Sequence, residues 1–165
     1  QRLWRAQGQD YSFAELARMA GETPAGGPVI DVNDARFYAP DNMIEEIRAA
    51  CRAADQPVPE GVGAIYRCIL DSLAHKYVEV LNELHMITGQ RFTRLHVVGG
   101  GAMNTVLNQL AADVCGIPII TGPVEGTAVG NILMQLLACG DIASIAEGRE
   151  LVRRSFPTAT YMPRG

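Results

Sequence analysis

The sequence predicts an α/β fold, mostly helical with a short parallel sheet. Three observations carry this. An apolar run, Leu95-His96-Val97-Val98, leads into Gly99-Gly100-Gly101, then a helical stretch, then Gly116. A second apolar run, Ile117-Pro118-Ile119-Ile120, leads into Gly122-Pro123. That order reads as strand, tight loop, helix, strand, which is one βαβ unit. Runs that are apolar on both faces suit a buried parallel pair covered by helices. The third observation is the balance of periods: elsewhere apolar residues recur at three and four, the helical spacing, and only two stretches read as firm strands.

Taken in order, residues 1–8 read as the tail of a helix ending at Gly8. Ser12 and Glu15 form a capping box for a helix that stops at Gly21. Gly- and Pro-rich residues 21–28 lead to the short Val29-Ile30-Asp31-Val32 segment. Asp41 is the expected cap of a helix running to Ala54, after which Asp55-Gln56-Pro57-Val58-Pro59 breaks the chain. The longest helix is expected over 62–88. Its stripe of Ile65, Ile69, Leu73, Tyr77, Val80, Leu84 and Ile87 is expected to face the sheet. Beyond the βαβ unit, residues 125–139 read as an apolar helix whose Gly126 and Gly130 permit close packing. Ser144 and Glu147 box the start of another helix ending near Arg154, and residues 158–161 read as a last extended segment.

Three consecutive glycines at a strand-to-helix junction allow backbone angles that a Cβ forbids and let a ligand approach the main chain. The following helix aims its unsatisfied N–H groups at whatever lies over the loop, and a nucleotide is the usual guest. The pattern is not a Walker A loop, because no Gly-Lys-Ser/Thr follows. As Gly99-x-Gly101-x-x-Asn104 it half-matches the dinucleotide fingerprint, with Asn in place of the third glycine. Three readings stand beside a nucleotide platform on these residues. One is a turn that binds nothing. Another is a nicotinamide or flavin domain with Glu125 on the ribose. The last is a non-enzymatic interaction module.

Composition narrows the field. The 165 residues are 48% hydrophobic and 19% charged, with a formal net charge of −4 and scattered basic residues. Nothing suggests a nucleic-acid surface. No apolar run reaches the ~18 residues of a membrane span, and no signal-peptide pattern opens the chain, so a cytoplasmic protein is expected. The four cysteines, Cys51, Cys68, Cys115 and Cys139, form no C-x-x-C pair and have no His at ligand spacing, so no metal site is expected. Cys115 and Cys139 read as buried small hydrophobes. His75, His85 and His96 have no catalytic partner pattern and default to structural roles. Asp10 lies in a polar loop and reads as solvated.

The residues after the glycines are more telling. Gly99, Gly100, Asn104, Gln109 and Asp113 stand as Gly-Gly-x-x-x-Asn-x-x-x-x-Gln-x-x-x-Asp. This resembles the adenosine-binding segment of the FGGY family of carbohydrate kinases, with the closest likeness to its rhamnulokinase members. Gly122-Pro123-Val124-Glu125-Gly126-Thr127-Ala128-Val129-Gly130-Asn131 looks like the same branch. So do Asn33-Asp34-x-Arg36-Phe37 and Ile47-Arg48-Ala49-Ala50-Cys51-Arg52, which extends the likeness over nearly the whole chain.

The resemblance implies part of the C-terminal actin-like, ribonuclease-H-like ATPase domain of a sugar kinase that uses ATP and Mg2+. The uncapped helical start at Gln1 and the shortage of strands likewise read as a portion of a longer protein. By resemblance, Gly100 lies against the adenosine, Gly99 and Gly101 shape the loop, Asn104 offers its carboxamide to the adenine edge, and Gln1 is a further nucleotide contact. Asp113 reads as structural. Cys51 and Cys68 match a pair that the family's rhamnulokinases can carry as a disulfide; reduced thiols are the equal alternative. The implied reaction moves the ATP γ-phosphate to a ketose such as L-rhamnulose, with L-fuculose and xylulose open. None of the eight Asp residues matches the family's catalytic aspartate. No catalytic residue is therefore assigned here, sugar contacts are expected in an N-terminal part, and this chain alone is expected to be inactive.

Overall fold

The structure is a computed structural model that describes residues 4, 5 and 8–164. Trp4 and Arg5 are helical and Gly8 closes that turn by donating to Arg5 O; the rest of the expected N-terminal helix, Gln1 included, lies outside the described residues. The chain divides into two compact units that meet between Arg91 and Phe92 in sequence.

Beyond the helical Trp4 and Arg5, the described residues of the first unit form α1 (Phe13–Glu22), α2 (Met43–Ala53) and α3 (Gly61–Thr88). The Ser12/Glu15 capping box forms as expected, each side chain accepting from the other's backbone N–H. Gly21 does not end α1. The helix continues to Glu22, because Arg67 on α3 reaches its last carbonyls, donating to Ala20 O at 3.4 Å and Thr23 O at 3.0 Å. A guanidinium there satisfies carbonyls that would otherwise need a glycine turn. Asp71 accepts from Arg67 Nε at 2.8 Å and compensates its buried charge. The cap of α2 is Asn42, not Asp41. Its Oδ1 accepts from the N–H groups of Ile44 (3.1 Å) and Glu45 (3.3 Å), since only the residue directly before the first helical turn reaches those donors.

The expected stripe on α3 departs from the observed burial. Ile65 is buried, but Val80, Leu84 and Ile87 are exposed, and the helix buries Arg67, Cys68, Leu70, Asp71, Ser72 and Ala74 instead. Close crossing over α1 selects that face: a Cβ at Gly63 would stand 3.0 Å from Met19 O. His75 Nδ1 lies 2.8 Å from Asp71 O and His85 Nδ1 lies 3.1 Å from Gln90 O, so both pair with backbone carbonyls. Asp10 is exposed and accepts from Arg5 Nε at 2.7 Å.

The core of this unit gathers Trp4, Leu16, Ile30, Ile47, Cys51, Ile65 and Cys68. Cys51 and Cys68 are fully buried free thiols in the same core. Burial pushes both thiols up, and Cys68, which also faces Cys51, is pushed up to about 12.

The second unit carries β1 (Leu95–Val97), α4 (Thr105–Cys115), β2 (Ile119–Thr121), α5 (Gly126–Cys139), α6 (Ile145–Ser155) and β3 (Thr160–Tyr161). The βαβ unit forms as expected: β1 and β2 pair in parallel, Leu95 opposite Ile119 and Val97 opposite Thr121. The late extended segment becomes β3, antiparallel to β2, with Ile119 opposite Tyr161. The sheet is therefore mixed rather than parallel throughout. Only β2, its centre, buries residues, namely Ile119 and Thr121; His96 on the β1 edge is exposed.

Two expectations about this unit change. Cys139 is exposed and Cys115 half-buried, because each stands at the C-terminal end of its helix, where neighbours thin out. Gly126 packs closely, its Cβ position 3.1 Å from Val98 Cβ, whereas Gly130 has open space around it.

The C-terminal segment is fastened to α4. Gln109 Nε2 donates to Met162 O at 2.9 Å and to Asp113 Oδ1 at 2.8 Å. Arg164 donates to Asp113 from its backbone N–H (3.0 Å) and from Nη2 (2.7 Å). Burial pushes the Asp113 carboxyl up, but the bonds from Arg164 and Gln109 outweigh it and hold the group below its ordinary value.

Two measurements check these contacts. A carboxylate depressed in the folded state stabilises above its unfolded value, near 3.9, and that stabilisation is lost as pH falls through the lower folded value. The Arg164 amide resonance should thus titrate with a midpoint below about 3.9, and Asp113→Asn should abolish that titration; a midpoint above this value contradicts the contact. For the thiols, alkylation at neutral pH should label Cys139 quickly and Cys51 and Cys68 very slowly. After denaturation without reductant, both become labelled if free, and neither if they are joined.

Candidate functional site

The glycine loop sits where the parallel strands end. The ladder continues past them: Gly122 N–H donates to Val97 O at 2.8 Å, and Gly99 N–H donates to Pro123 O at 3.1 Å. The loops leaving β1 and β2 therefore lie side by side at the carboxyl edge of the pair, where ligands bind in open α/β sheets. A Cβ at Gly122 would stand 3.0 Å from Val98 Cγ1, so this approach depends on glycines in the second loop as well as the first.

The three glycines differ in what they do. Gly99 adopts φ 81° and ψ −166°, a conformation reserved for glycine. Residues Gly100–Met103 then form a single 3-10 turn, closed by Ala102 N–H to Gly99 O at 3.0 Å. Gly100 has an ordinary φ, and a Cβ there would meet nothing within 4 Å. Gly101 also has an ordinary φ, with Val97 Cγ1 at normal contact distance, 3.7 Å. The N–H groups of Gly100 and Gly101 have no partner among the described residues. They are the leading donors of the turn, left open as at any helix start. Exposed Val98, Met103 and Val124 flank the loop with apolar surface.

Asn104 joins the turn to α4. Its N–H donates to Gly101 O at 3.1 Å, and its Oδ1 accepts from Leu107 N–H at 3.0 Å, which makes it the N-cap of α4. Gly99, Gly100, Gly101 and Asn104 thus come together in one short turn. Gln1 lies outside the described residues, and Cys51 and Cys68 belong to the first unit.

One residue of the site was missed from sequence. Asn108 is 1% exposed, and its Nδ2 donates to Ala102 O at 3.1 Å and Gly101 O at 3.4 Å. The available signal was a second Asn one helical turn after Asn104, on a face otherwise apolar. Upstream, Asp34 caps a local turn by accepting from Arg36 N–H at 3.0 Å and pairs with Arg36 Nε at 2.9 Å, so that motif is structural within its own loop.

The loop carries donors and open backbone but no nucleophile or base. Among the described residues, no group of three or more His, Cys, Asp or Glu could hold a metal ion, and no helix is long and apolar enough to cross a membrane.

Comparison with known proteins identifies the family. The FGGY family of carbohydrate kinases, C-terminal domain, matches residues 1–139. The rhamnulokinase of Enterococcus faecalis is 47% identical over 163 residues, 98% of this chain and 33% of that protein. The rhamnulokinase of Klebsiella pneumoniae is 46% identical over 163 residues, 99% of this chain and 33% of that protein. The chain thus spans about a third of the length of these curated relatives. The crystal structure of xylulose kinase from Rhodospirillum rubrum matches 98% of this chain and 32% of its own, with a TM-score of 0.67 at 19% identity, a likeness of fold. The fold is accordingly that of the actin-like ATPase domain of these kinases. With the family's C-terminal domain matched along residues 1–139, the chain belongs to the FGGY family of carbohydrate kinases.

Proposed function

We propose that the protein carrying this chain transfers the γ-phosphate of ATP to a ketose, L-rhamnulose being the first candidate, and that this chain supplies its nucleotide platform. The observation that carries the reading is Gly100. Its φ is ordinary and its Cβ position is empty, so the fold of the described residues does not require glycine there. A ligand lying against the main chain does. The two open N–H groups at Gly100 and Gly101 fit the same guest. The identity to two rhamnulokinases supports L-rhamnulose over L-fuculose and xylulose, and family membership favours a kinase over a nicotinamide or flavin domain.

In this reading residues 1–165 are part of a C-terminal nucleotide-binding domain, with the sugar site and catalytic carboxylate in an N-terminal part. ATP brings Mg2+ on its phosphates, which supplies charge neutralisation during phosphoryl transfer. This chain's own part is to seat the adenosine, with Gly100 presenting bare backbone, Asn104 presenting its carboxamide, and Gln1 adding a contact. ATP, ADP and the sugar are the partners, in the cytoplasm. A disulfide between Cys51 and Cys68, free thiols in this structure, is the equal alternative to the reduced pair, and both side chains sit in one core.

Two experiments test it. This chain alone should show no ADP release above blank with ATP and L-rhamnulose in a coupled assay, for want of the catalytic base; clear turnover would sink the assignment of roles. In the full-length protein, Asn104→Ser should keep the cap and the melting temperature while weakening ATP by about 1 kcal/mol, the worth of one neutral hydrogen bond. Gly100→Val should fold normally and weaken ATP more, by steric exclusion. Unchanged ATP affinity in Asn104→Ser makes that residue a cap only, and unchanged affinity in Gly100→Val removes the platform from this loop.

A further inference from the structure

We propose that Asn108 is a positioning residue: it holds the 3-10 turn of the glycine loop in the orientation that presents the Gly100 and Gly101 N–H groups. This rests on the nucleotide reading of the same loop. A carboxamide in a helix face shared with Leu107, Leu110 and Ala111 is costly to bury unless its hydrogen bonds are made. Asn108 is almost wholly buried, and its Nδ2 bonds go to Ala102 O and Gly101 O, outside its own helix.

Those two carbonyls belong to the turn Gly100–Met103, near its C-terminal end. In a single helical turn the carbonyls all point one way along the axis and the N–H groups the other, because each peptide unit is planar and trans. Holding the carbonyls of residues 101 and 102 toward α4 therefore aims the leading N–H groups of residues 100 and 101 away from it, into the open space over Gly100. Asn104 shares the carbonyl of Gly101 through its backbone N–H at 3.1 Å, while its Oδ1 accepts from the N–H of Leu107 within α4; the bond to Ala102 O comes from Asn108. The donor must also be neutral and short. Leucine fills the same volume without donating, and aspartate would turn a carboxylate toward two carbonyl oxygens.

The test uses the full-length protein and ADP as the probe. Asn108→Leu should weaken ADP by about tenfold in calorimetry and raise amide exchange in a peptide covering residues 98–106. Leu110→Ala, a buried change in the same helix that leaves the turn's bonds intact, should lower the melting temperature without either effect. Asn108→Ser, which keeps one donor, should fall between wild type and Asn108→Leu and serves if the latter fails to fold. Equal losses of ADP affinity in the Asn108 and Leu110 variants would reduce Asn108 to a core residue, and no loss in the Asn108 variants would overturn the proposal. If the wild-type protein binds no ADP, the nucleotide reading falls by itself. Exchange at residues 98–106 then decides the role of Asn108: raised exchange in Asn108→Leu but not Leu110→Ala keeps it, and equal exchange in the two removes it.

Discussion

Two hydrogen bonds beyond the ends of β1 and β2, Gly122 to Val97 and Gly99 to Pro123, set the level at which both loops leave the sheet. Each strand is only three residues long, so the regular ladder is brief, and these bonds carry the parallel register into the loops. Without them the loop after β1 would have no fixed relation to the loop after β2. With them the backbones come so close that side chains are excluded at Gly122 and Gly126, where a Cβ would press on Val98. Glycine in the second loop is thus a packing demand created by the first.

Helix α4 converts that arrangement into a rigid site. At 3.6 residues per turn, positions four apart lie nearly in line along the helix. Asn104 and Asn108 form one such line and face the glycine turn. Gln109 and Asp113 form another, and face Met162 and Arg164. Leu107, Leu110 and Ala111 are buried between these polar lines. Of the family-like motif residues on this helix, only Asn104 touches the loop; Gln109 and Asp113 fasten the C-terminal segment. A motif continuous in sequence is therefore divided, in space, between the glycine turn and the brace behind it, where Asp113 is structural as read.

What could be read from sequence follows from how far apart partners lie. The box at Ser12 forms as read, and Gly116 and Gly140 end their helices in left-handed conformations, because every partner lies within about one turn; at Ser144 only the cap forms, since Glu147 accepts from the Ala143 N–H in place of the Ser144 N–H. The parallel pairing of β1 and β2 was also legible, since one crossover helix joins them. Legibility fails where partners are remote. The Asp113–Arg164 pair spans 51 residues and the Gln109–Met162 bond 53, and neither end carries a local signal of the other. Apolar spacing on α3 showed a helix but not its buried face, because the buried face includes Arg67 and Asp71, which are admitted only as a mutually satisfied pair bonded to α1. The shift of the α2 cap from Asp41 to Asn42 is different again. Both residues cap well, and only the backbone decides which one precedes the first turn.

The glycine triplet shows why motif and mechanism need separate arguments. A sequence reader sees three equal residues. Gly99 is required by its own torsion angles, and a side chain there would be strained with or without a ligand. Gly101 is close to Val97 at ordinary distance, so an added methyl would find room. Gly100 satisfies neither kind of need: its angles are ordinary and its surroundings are empty. Its smallness is a demand of neither torsion nor packing within the described residues, and Gly130 is alike in this. The comparison separates physical causes at three adjacent positions. It also identifies the position where function and stability can be separated by a single substitution. At Gly99 a loss of binding would be confounded by backbone strain, and at Gly126 by a clash with Val98; at Gly100 neither stands in the way.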